Sequence, residues 1–138
     1  MKKLLFIIPA LFFQTMQAQQ KEPLKFNDKG EFKIVQFTDV HFKYKNPASD
    51  VALECIDRVL DAEKPELVIF TGDVVYNSPA DTAMITVLSH VSKRNIPFVV
   101  TLGNHDDEQN LTREQLYNVA RSVKGNIQPD NQTDFVLR

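Results

Sequence analysis

The fold of this 138-residue chain is decided by one stretch, Pro97-Phe98-Val99-Val100-Thr101-Leu102-Gly103-Asn104-His105-Asp106. Its apolar part is rich in β-branched and aromatic residues and is bounded by Pro and Gly, which is typical of a buried parallel strand. Gly103 allows a sharp turn where that strand ends. An amide, an imidazole and a carboxylate follow, and these groups are costly to place beside a core unless something charged binds them. The stretch therefore predicts a strand that delivers ligand side chains to a site.

Two earlier strands are predicted to end in the same way. Residues 32–37 lead to Asp39-Val40-His41, and residues 67–71 lead to Gly72-Asp73. The clusters recur at intervals of 34 and 31 residues, from Asp39 to Asp73 and from Asp73 to Asn104. Such an interval is the length of a βαβ unit. The sequence therefore predicts an α/β fold of the order βαβαβα, with mainly parallel strands and with helices on the faces of the sheet.

A helix is predicted after each of the three strands. The first is expected to begin with Ser49 or Asp50 as its cap, and the second with Asp81. The third is expected to begin with a capping box, in which the side chains of Thr112 and Gln115 each accept a hydrogen bond from the other residue's backbone.

All three polar clusters lie at the carboxyl ends of predicted strands. In a parallel sheet these ends share one edge, and ligands bind there. Asp39 and His41 are two residues apart in a segment predicted to be extended, so their side chains would leave on the same side. The edge would gather three carboxylates, two imidazoles and one amide: Asp39, Asp73, Asp106, His41, His105 and Asn104. Bound cations would remove the repulsion among the carboxylates, and mixed oxygen and nitrogen ligands suit Zn, Mn or Fe better than Ca or Mg alone.

The first 18 residues are predicted to be a secretory signal peptide. Lys2 and Lys3 precede an apolar block at residues 4–13, and Ala18 offers a small residue at a cleavage point. The apolar block is too short to cross a bilayer core of roughly 30 Å, so no membrane anchor is expected after cleavage. Removing this segment changes the formal net charge from −2 to −4 and leaves no basic patch for nucleic acid. The mature protein is therefore expected to be secreted or periplasmic.

The remaining residues divide into a short leader and one domain. Residues 19–31 are polar and end in a turn signal, so they are predicted to be a leader and a tight turn. Residues 32–138 are predicted to form the domain. Cys55, the only thiol, lies among the apolar positions of the first helix and is predicted to be a small buried residue.

The three clusters, in this order and spacing, resemble the first three motifs of the calcineurin-like metallophosphoesterase superfamily. The resemblance covers about residues 32–125 and points to a secreted member similar to purple acid phosphatases. It implies the N-terminal half of a four-layered α/β sandwich that holds two metal ions. Asp39 and His41 would bind the first metal. Asp73 would bridge both metals, and Asn104 would bind the second.

The activity implied by this resemblance is hydrolysis of a phosphoester substrate by a metal-bridging hydroxide at a binuclear centre. His105 would face the phosphate and stabilise or protonate the leaving group. Asp106 would orient an imidazole or a metal ligand. Gly72 and Gly103 would support the site.

Residues 72–76 also resemble the GDxxY element of purple acid phosphatases, in which the Tyr binds iron. Those enzymes lack the His of the first motif, and in this chain His41 fills that position. Tyr76 is therefore either a further ligand or only a residue that packs against the site or lines it.

The family completes its metal sites with histidines from later motifs, among them a GHxH, and no His follows His105 here. The chain is therefore predicted to be an N-terminal part of the domain, truncated in a strand that begins near residue 134. Two alternatives stay open: a catalytically incomplete metal-binding fragment, and a nucleic-acid phosphodiesterase with the same chemistry. Secretion and the acidic mature charge count against the second.

Overall fold

A computed structural model of the chain describes residues 24–129. The predicted signal peptide and the predicted C-terminal strand lie outside the described residues. Within residues 24–129, no helix has both the length and the apolar character that crossing a membrane requires.

Three strands alternate with three helices along this part of the chain. They are β1 Ile34–Phe37, α1 Pro47–Glu63, β2 Leu67–Thr71, α2 Ala80–Ser92, β3 Phe98–Thr101 and α3 Arg113–Ser122, with one turn of 3-10 helix at Asp106–Glu108. The strands form a parallel sheet in the order β1-β2-β3. The predicted α/β fold with parallel strands is confirmed.

The three helices pack on one face of this sheet. Alternate residues of β2 and β3 are fully buried and form a core with residues of all three helices: Val68, Phe70, Phe98, Val100, Ile56, Leu60, Met84, Leu88, Leu116 and Ala120. On the other face Ile69 and Val99 are partly exposed, and Ile34 is 50% exposed. Helices on both faces are therefore not found within residues 24–129. The reason is topological, because right-handed crossovers between strands in sequential order place every connecting helix on the same side.

Helix α1 begins earlier than the sequence predicts. Asn46 is its N-cap, and the Asn46 side chain accepts a hydrogen bond of 3.0 Å from the backbone N–H of Ala48. Pro47 follows as the first helical residue, a position where its fixed φ and missing N–H cost nothing. The prediction that Ser49 or Asp50 caps this helix is therefore wrong.

Helices α2 and α3 begin with different kinds of cap. Asp81 does not cap α2, which begins at Ala80. The N–H of Ala80 instead donates to the side-chain oxygen of Asn110 at 2.8 Å, so a distant loop satisfies this helix end. Sequence spacing cannot indicate a contact of that kind. The capping box of Thr112 and Gln115 at the start of α3 is confirmed.

The buried side of α1 is set by Ile56 and Leu60, which are 2% and 1% exposed. Cys55 is exposed, so the prediction that it is buried is wrong. One step along an α-helix turns the side chain by about 100°, which moves Cys55 away from the face that packs on the sheet.

An ion-pair cluster joins α1 to the end of α2. Asp57 accepts a hydrogen bond of 2.6 Å from Arg94 and lies 2.9 Å from His90 and 3.2 Å from Lys93. Partial burial alone would raise the pKa of Asp57, but the hydrogen bonds from these three side chains lower it to about 2. This carboxylate therefore stays ionised and serves the packing of the two helices.

Candidate metal centre

The segment that follows β1 stays hydrogen-bonded to the segment that follows β2 beyond the ends of the two strands. The N–H of Asp39 donates to the carbonyl of Gly72 at 3.1 Å, and the N–H of His41 donates to the carbonyl of Asp73 at 2.9 Å. Phe42 is buried in the core and continues the parallel pairing with Val75, in the segment that follows β2. These bonds fix the backbones of the first two polar clusters relative to each other.

Three of the predicted ligand residues share an uncommon backbone conformation. Asp39, His41 and Asp73 have φ values of 52°, 46° and 54°, in the left-handed region that non-glycine residues rarely adopt. The segment from Asp39 to His41 is therefore not extended, contrary to the sequence prediction. Such residues persist where surrounding contacts hold them, and they cluster at functional sites.

The side chains of these three residues converge. Each offers one ligand atom, and the three atoms all lie within 4.8 Å of one another. His41 Nε2 is 3.7 Å from Asp39 Oδ1, and Asp39 is also held by a 2.7 Å hydrogen bond from the Thr38 hydroxyl to Oδ2. Two carboxylates and one imidazole are a donor set that suits Zn, Mn or Fe. The three residues therefore fit one metal ion at the edge of the sheet.

Asp106 joins the chain after β3 to the chain after β2. Its carboxylate is fully buried and accepts hydrogen bonds from the backbone N–H groups of Gly103 (2.8 Å), Asp73 (2.9 Å) and Val75 (2.9 Å). Burial raises the pKa of this carboxyl, while the backbone hydrogen bonds act in the opposite direction. Asp106 holds the backbone of Asp73 rather than an imidazole, so it positions a candidate metal ligand.

Gly72 and Gly103 let these two chain segments approach each other closely. A Cβ on Gly72, whose φ is 113°, would lie 2.8 Å from the Cα of Gly103, and a Cβ on Gly103 would lie 2.6 Å from the backbone N of Asp73. Arg113, the first residue of α3, also donates to the carbonyls of Leu102 (3.1 Å) and Gly103 (2.9 Å). The two glycines thus set the distance between the second and third clusters.

His105 lies beside Asp73 and is oriented by a residue that the sequence analysis missed. The His105 N–H donates to Asp73 Oδ1 at 2.9 Å, and its imidazole Nδ1 is 2.8 Å from Glu108 Oε2. The bond to Glu108 raises the pKa of His105 above its usual value. The available signal for Glu108 in the sequence was its spacing of three residues from His105, which brings two side chains together in one helical turn. Asn104, next to His105, is exposed at the same edge.

Tyr76 forms an aromatic wall against both imidazoles. Its ring centroid lies 5.1 Å from that of His41 and 5.3 Å from that of His105, each in an edge-to-face arrangement. The two imidazole centroids are themselves 5.6 Å apart. The ring of Tyr76 therefore lines the site, and the third cluster lies next to the first.

Comparison with known proteins agrees with this geometry. Residues 32–135 match the family described as calcineurin-like phosphoesterase. The chain is 37% identical to the phosphatase DCR2 of Saccharomyces cerevisiae over 114 residues, which is 70% of this chain and 20% of that protein. It is 34% identical over 116 residues to the probable inactive purple acid phosphatase 29 of Arabidopsis thaliana, or 72% of this chain and 30% of that protein.

A bacterial relative is named for a different activity. The chain is 34% identical over 89 residues to the probable glycerophosphodiester phosphodiesterase GpdQ of Arcobacter nitrofigilis, which is 59% of this chain and 32% of that protein. The chain therefore spans between a fifth and a third of the length of these relatives. The chain belongs to the calcineurin-like phosphoesterase family, because residues 32–135 match it and the parallel sheet brings Asp39, His41 and Asp73 together.

Proposed function

We propose that this chain supplies the first three motifs of a secreted, metal-dependent phosphoester hydrolase with a binuclear metal centre. The observation that carries the proposal is the convergence of Asp39, His41 and Asp73, whose ligand atoms lie within 4.8 Å of one another at the strand ends. Asp73 is also the residue that the other two clusters touch, through His41 on one side and His105 on the other. These two contacts support the proposal that Asp73 is the shared ligand.

The metal ions in this proposal are two divalent or trivalent cations, with Mn, Fe and Zn the best matches to the donors. When bound, such ions activate a water molecule and neutralise phosphate charge. Asp39, His41 and Asp73 would hold the first ion, and Asp73 with Asn104 would contribute to the second. Asp106 keeps Asp73 in place through the 2.9 Å hydrogen bond to its backbone N–H.

His105 is the residue of this chain that we assign to proton transfer. Its Nδ1 is bonded to Glu108 at 2.8 Å, which leaves Nε2 to face a substrate. Because Glu108 fixes the ring and favours its protonated form, His105 can donate a proton to the departing oxygen of the substrate.

The test of this assignment is the leaving-group dependence of a His105→Ala variant in the metal-loaded protein with its whole catalytic domain. Turnover is expected to fall by about a hundredfold for an alkyl phosphate, because a poor leaving group needs the proton. The loss should be at least tenfold smaller for p-nitrophenyl phosphate, since an activated leaving group departs without it. Steady-state rates on both substrates, with and without a chelator, give the answer.

A matched control is His90→Ala, which removes an imidazole paired with Asp57 on the helical side of the sheet. That variant should keep the wild-type ratio of rates on the two substrates. Equal losses on both substrates for His105→Ala would contradict proton transfer and would assign His105 to phosphate binding.

A second candidate function is metal binding without hydrolysis. It is favoured by the names of three similar proteins from Arabidopsis thaliana, the probable inactive purple acid phosphatases 29, 14 and 28. The two functions differ in one result, since a metal-loaded protein that turns over no phosphoester would support the second. Secretion or a periplasmic location remains part of the proposal, and a mature N-terminus near Gln19 would support it.

A further inference from the structure

Lys43 lies beside the candidate metal centre in a loop whose backbone is fixed. Its N–H donates to the Ser49 hydroxyl at 3.2 Å, and its carbonyl accepts from the N–H of Asn46 at 3.1 Å. The preceding residue, Phe42, pairs with Val75 and accepts a 3.0 Å hydrogen bond from the N–H of Tyr76. Lys43 is therefore held next to the aromatic wall that lines the site.

The ammonium group of Lys43 is directed to that wall and not to a carboxylate. Lys43 Nζ lies 4.9 Å from the centroid of the Tyr76 ring. Across residues 24–129 no carboxylate lies within ion-pair distance of this nitrogen, whereas Lys33 pairs with Glu63 and Lys93 with Asp57. Lys43 is partly buried as a residue, and an ammonium on an aromatic face keeps its charge available for an anion.

The Tyr76 ring connects this charge to the candidate metal centre. The Tyr76 ring contacts the ammonium of Lys43, with Nζ 4.9 Å from its centroid, and it also contacts the imidazoles of His41 and His105. His105 is the residue assigned to the leaving group. The ammonium of Lys43 therefore contacts the same ring as the imidazole assigned to the leaving group.

We infer that Lys43, positioned against Tyr76, is a specificity-determining residue that binds a second anionic group on the leaving-group part of the substrate. The preferred substrates are phosphoesters whose alcohol part carries a carboxylate or another phosphate. This inference rests on the proposed function, because it requires that the phosphate binds at Asp39, His41 and Asp73.

The test compares phenyl phosphate with 4-carboxyphenyl phosphate, which carries an additional carboxylate on the far side of the ring. Dissociation constants are measured by calorimetry on the metal-loaded protein with the corresponding phosphonates, which have no ester bond to hydrolyse, and kcat/KM is measured on the phosphates. The wild-type protein should bind the carboxylated probe about tenfold more tightly, the effect of one charge-assisted hydrogen bond. Lys43→Gln should reduce that preference to less than about twofold and leave the affinity for the probe without the carboxylate unchanged.

Lys45→Gln is the matched control. Lys45 is in the same loop and its Nζ also lies over a tyrosine, but that ring is Tyr44, at 5.6 Å. The control should keep the wild-type preference for the carboxylated probe.

The outcomes separate this inference from the proposed function. A preference in binding that depends on Lys43 but occurs without turnover would support the inference and contradict hydrolysis. Turnover with equal affinity for the two probes, or binding of neither probe, would overturn the inference. An equal loss of preference in Lys45→Gln would overturn it as well, by showing a general effect of positive charge.

Discussion

Asp73→Asn is expected to lower phosphoester hydrolysis by at least about a hundredfold while the protein stays folded, when it is measured in the protein with its whole catalytic domain. The amide keeps the volume of the carboxyl group and can still accept the 2.9 Å hydrogen bond from the N–H of His105. What it loses is the negative charge needed between two cations. The measurements are kcat on p-nitrophenyl phosphate and the thermal unfolding midpoint of each protein.

Asp28→Asn is the control for this substitution. Asp28 is an exposed carboxylate in the turn that precedes β1, and the candidate ligands follow the other end of that strand, so its replacement should leave turnover unchanged. If Asp73→Asn instead retains turnover within tenfold of the wild-type value, Asp73 is not a bridging ligand and the proposed centre is wrong.

Asp106→Asn is expected to lower the free energy of unfolding by about 2 to 3 kcal/mol, because one of its bonded backbone N–H groups would then face an NH₂ group. The wild-type carboxylate is fully buried and accepts three backbone hydrogen bonds of 2.8 to 2.9 Å. Burial raises the pKa of this carboxyl, so removing the charge recovers part of the desolvation cost. The destabilisation comes from the hydrogen-bond geometry, since three N–H donors point at the two carboxylate oxygens and an amide offers only one oxygen to accept them. Urea denaturation of the two proteins measures the difference.

The neighbouring substitution Asp107→Asn is the natural comparison. Asp107 is exposed, and its 3.8 Å pair with Arg113 lies at the surface, so its loss should cost no more than about 1 kcal/mol. Equal effects of the two substitutions would mean that Asp106 is not the group that holds the second and third clusters together. Asp106→Asn should also weaken metal binding by about tenfold or more, because it releases the backbone of Asp73.

Much of the fold was predictable because strong local patterns and long-range contacts agree. The apolar run at residues 67–71 corresponds to β2 without any shift, and β3 lies inside the predicted run at residues 97–102. These strands are apolar because they are buried in a parallel sheet. Burial depends on the whole fold, but it is visible in the composition of each strand. The capping box of Thr112 and Gln115 was predictable for a different reason, because all of its hydrogen bonds are local.

The details of the site depended on contacts that sequence spacing does not encode. The left-handed backbones of Asp39 and His41 exist because their N–H groups bond to the chain after β2, about 30 residues further along the chain. Asp106 was expected to orient a ligand, but only the structure shows that it does so through three backbone N–H groups. The roles of Asn104 and His105 stay predictions.

The central claim is that a metal ion binds where Asp39, His41 and Asp73 converge, and the most direct measurement is paramagnetic broadening of backbone amide NMR signals by Mn²⁺. Manganese broadens the signals of nearby nuclei, so a titration with small amounts of the ion locates its binding site. We expect the amides of residues 39–41, 73–74 and 103–105 to broaden first and those of the Asp57, His90 and Arg94 cluster to remain sharp. Broadening centred on that ion-pair cluster, or none at the strand ends, would contradict the account.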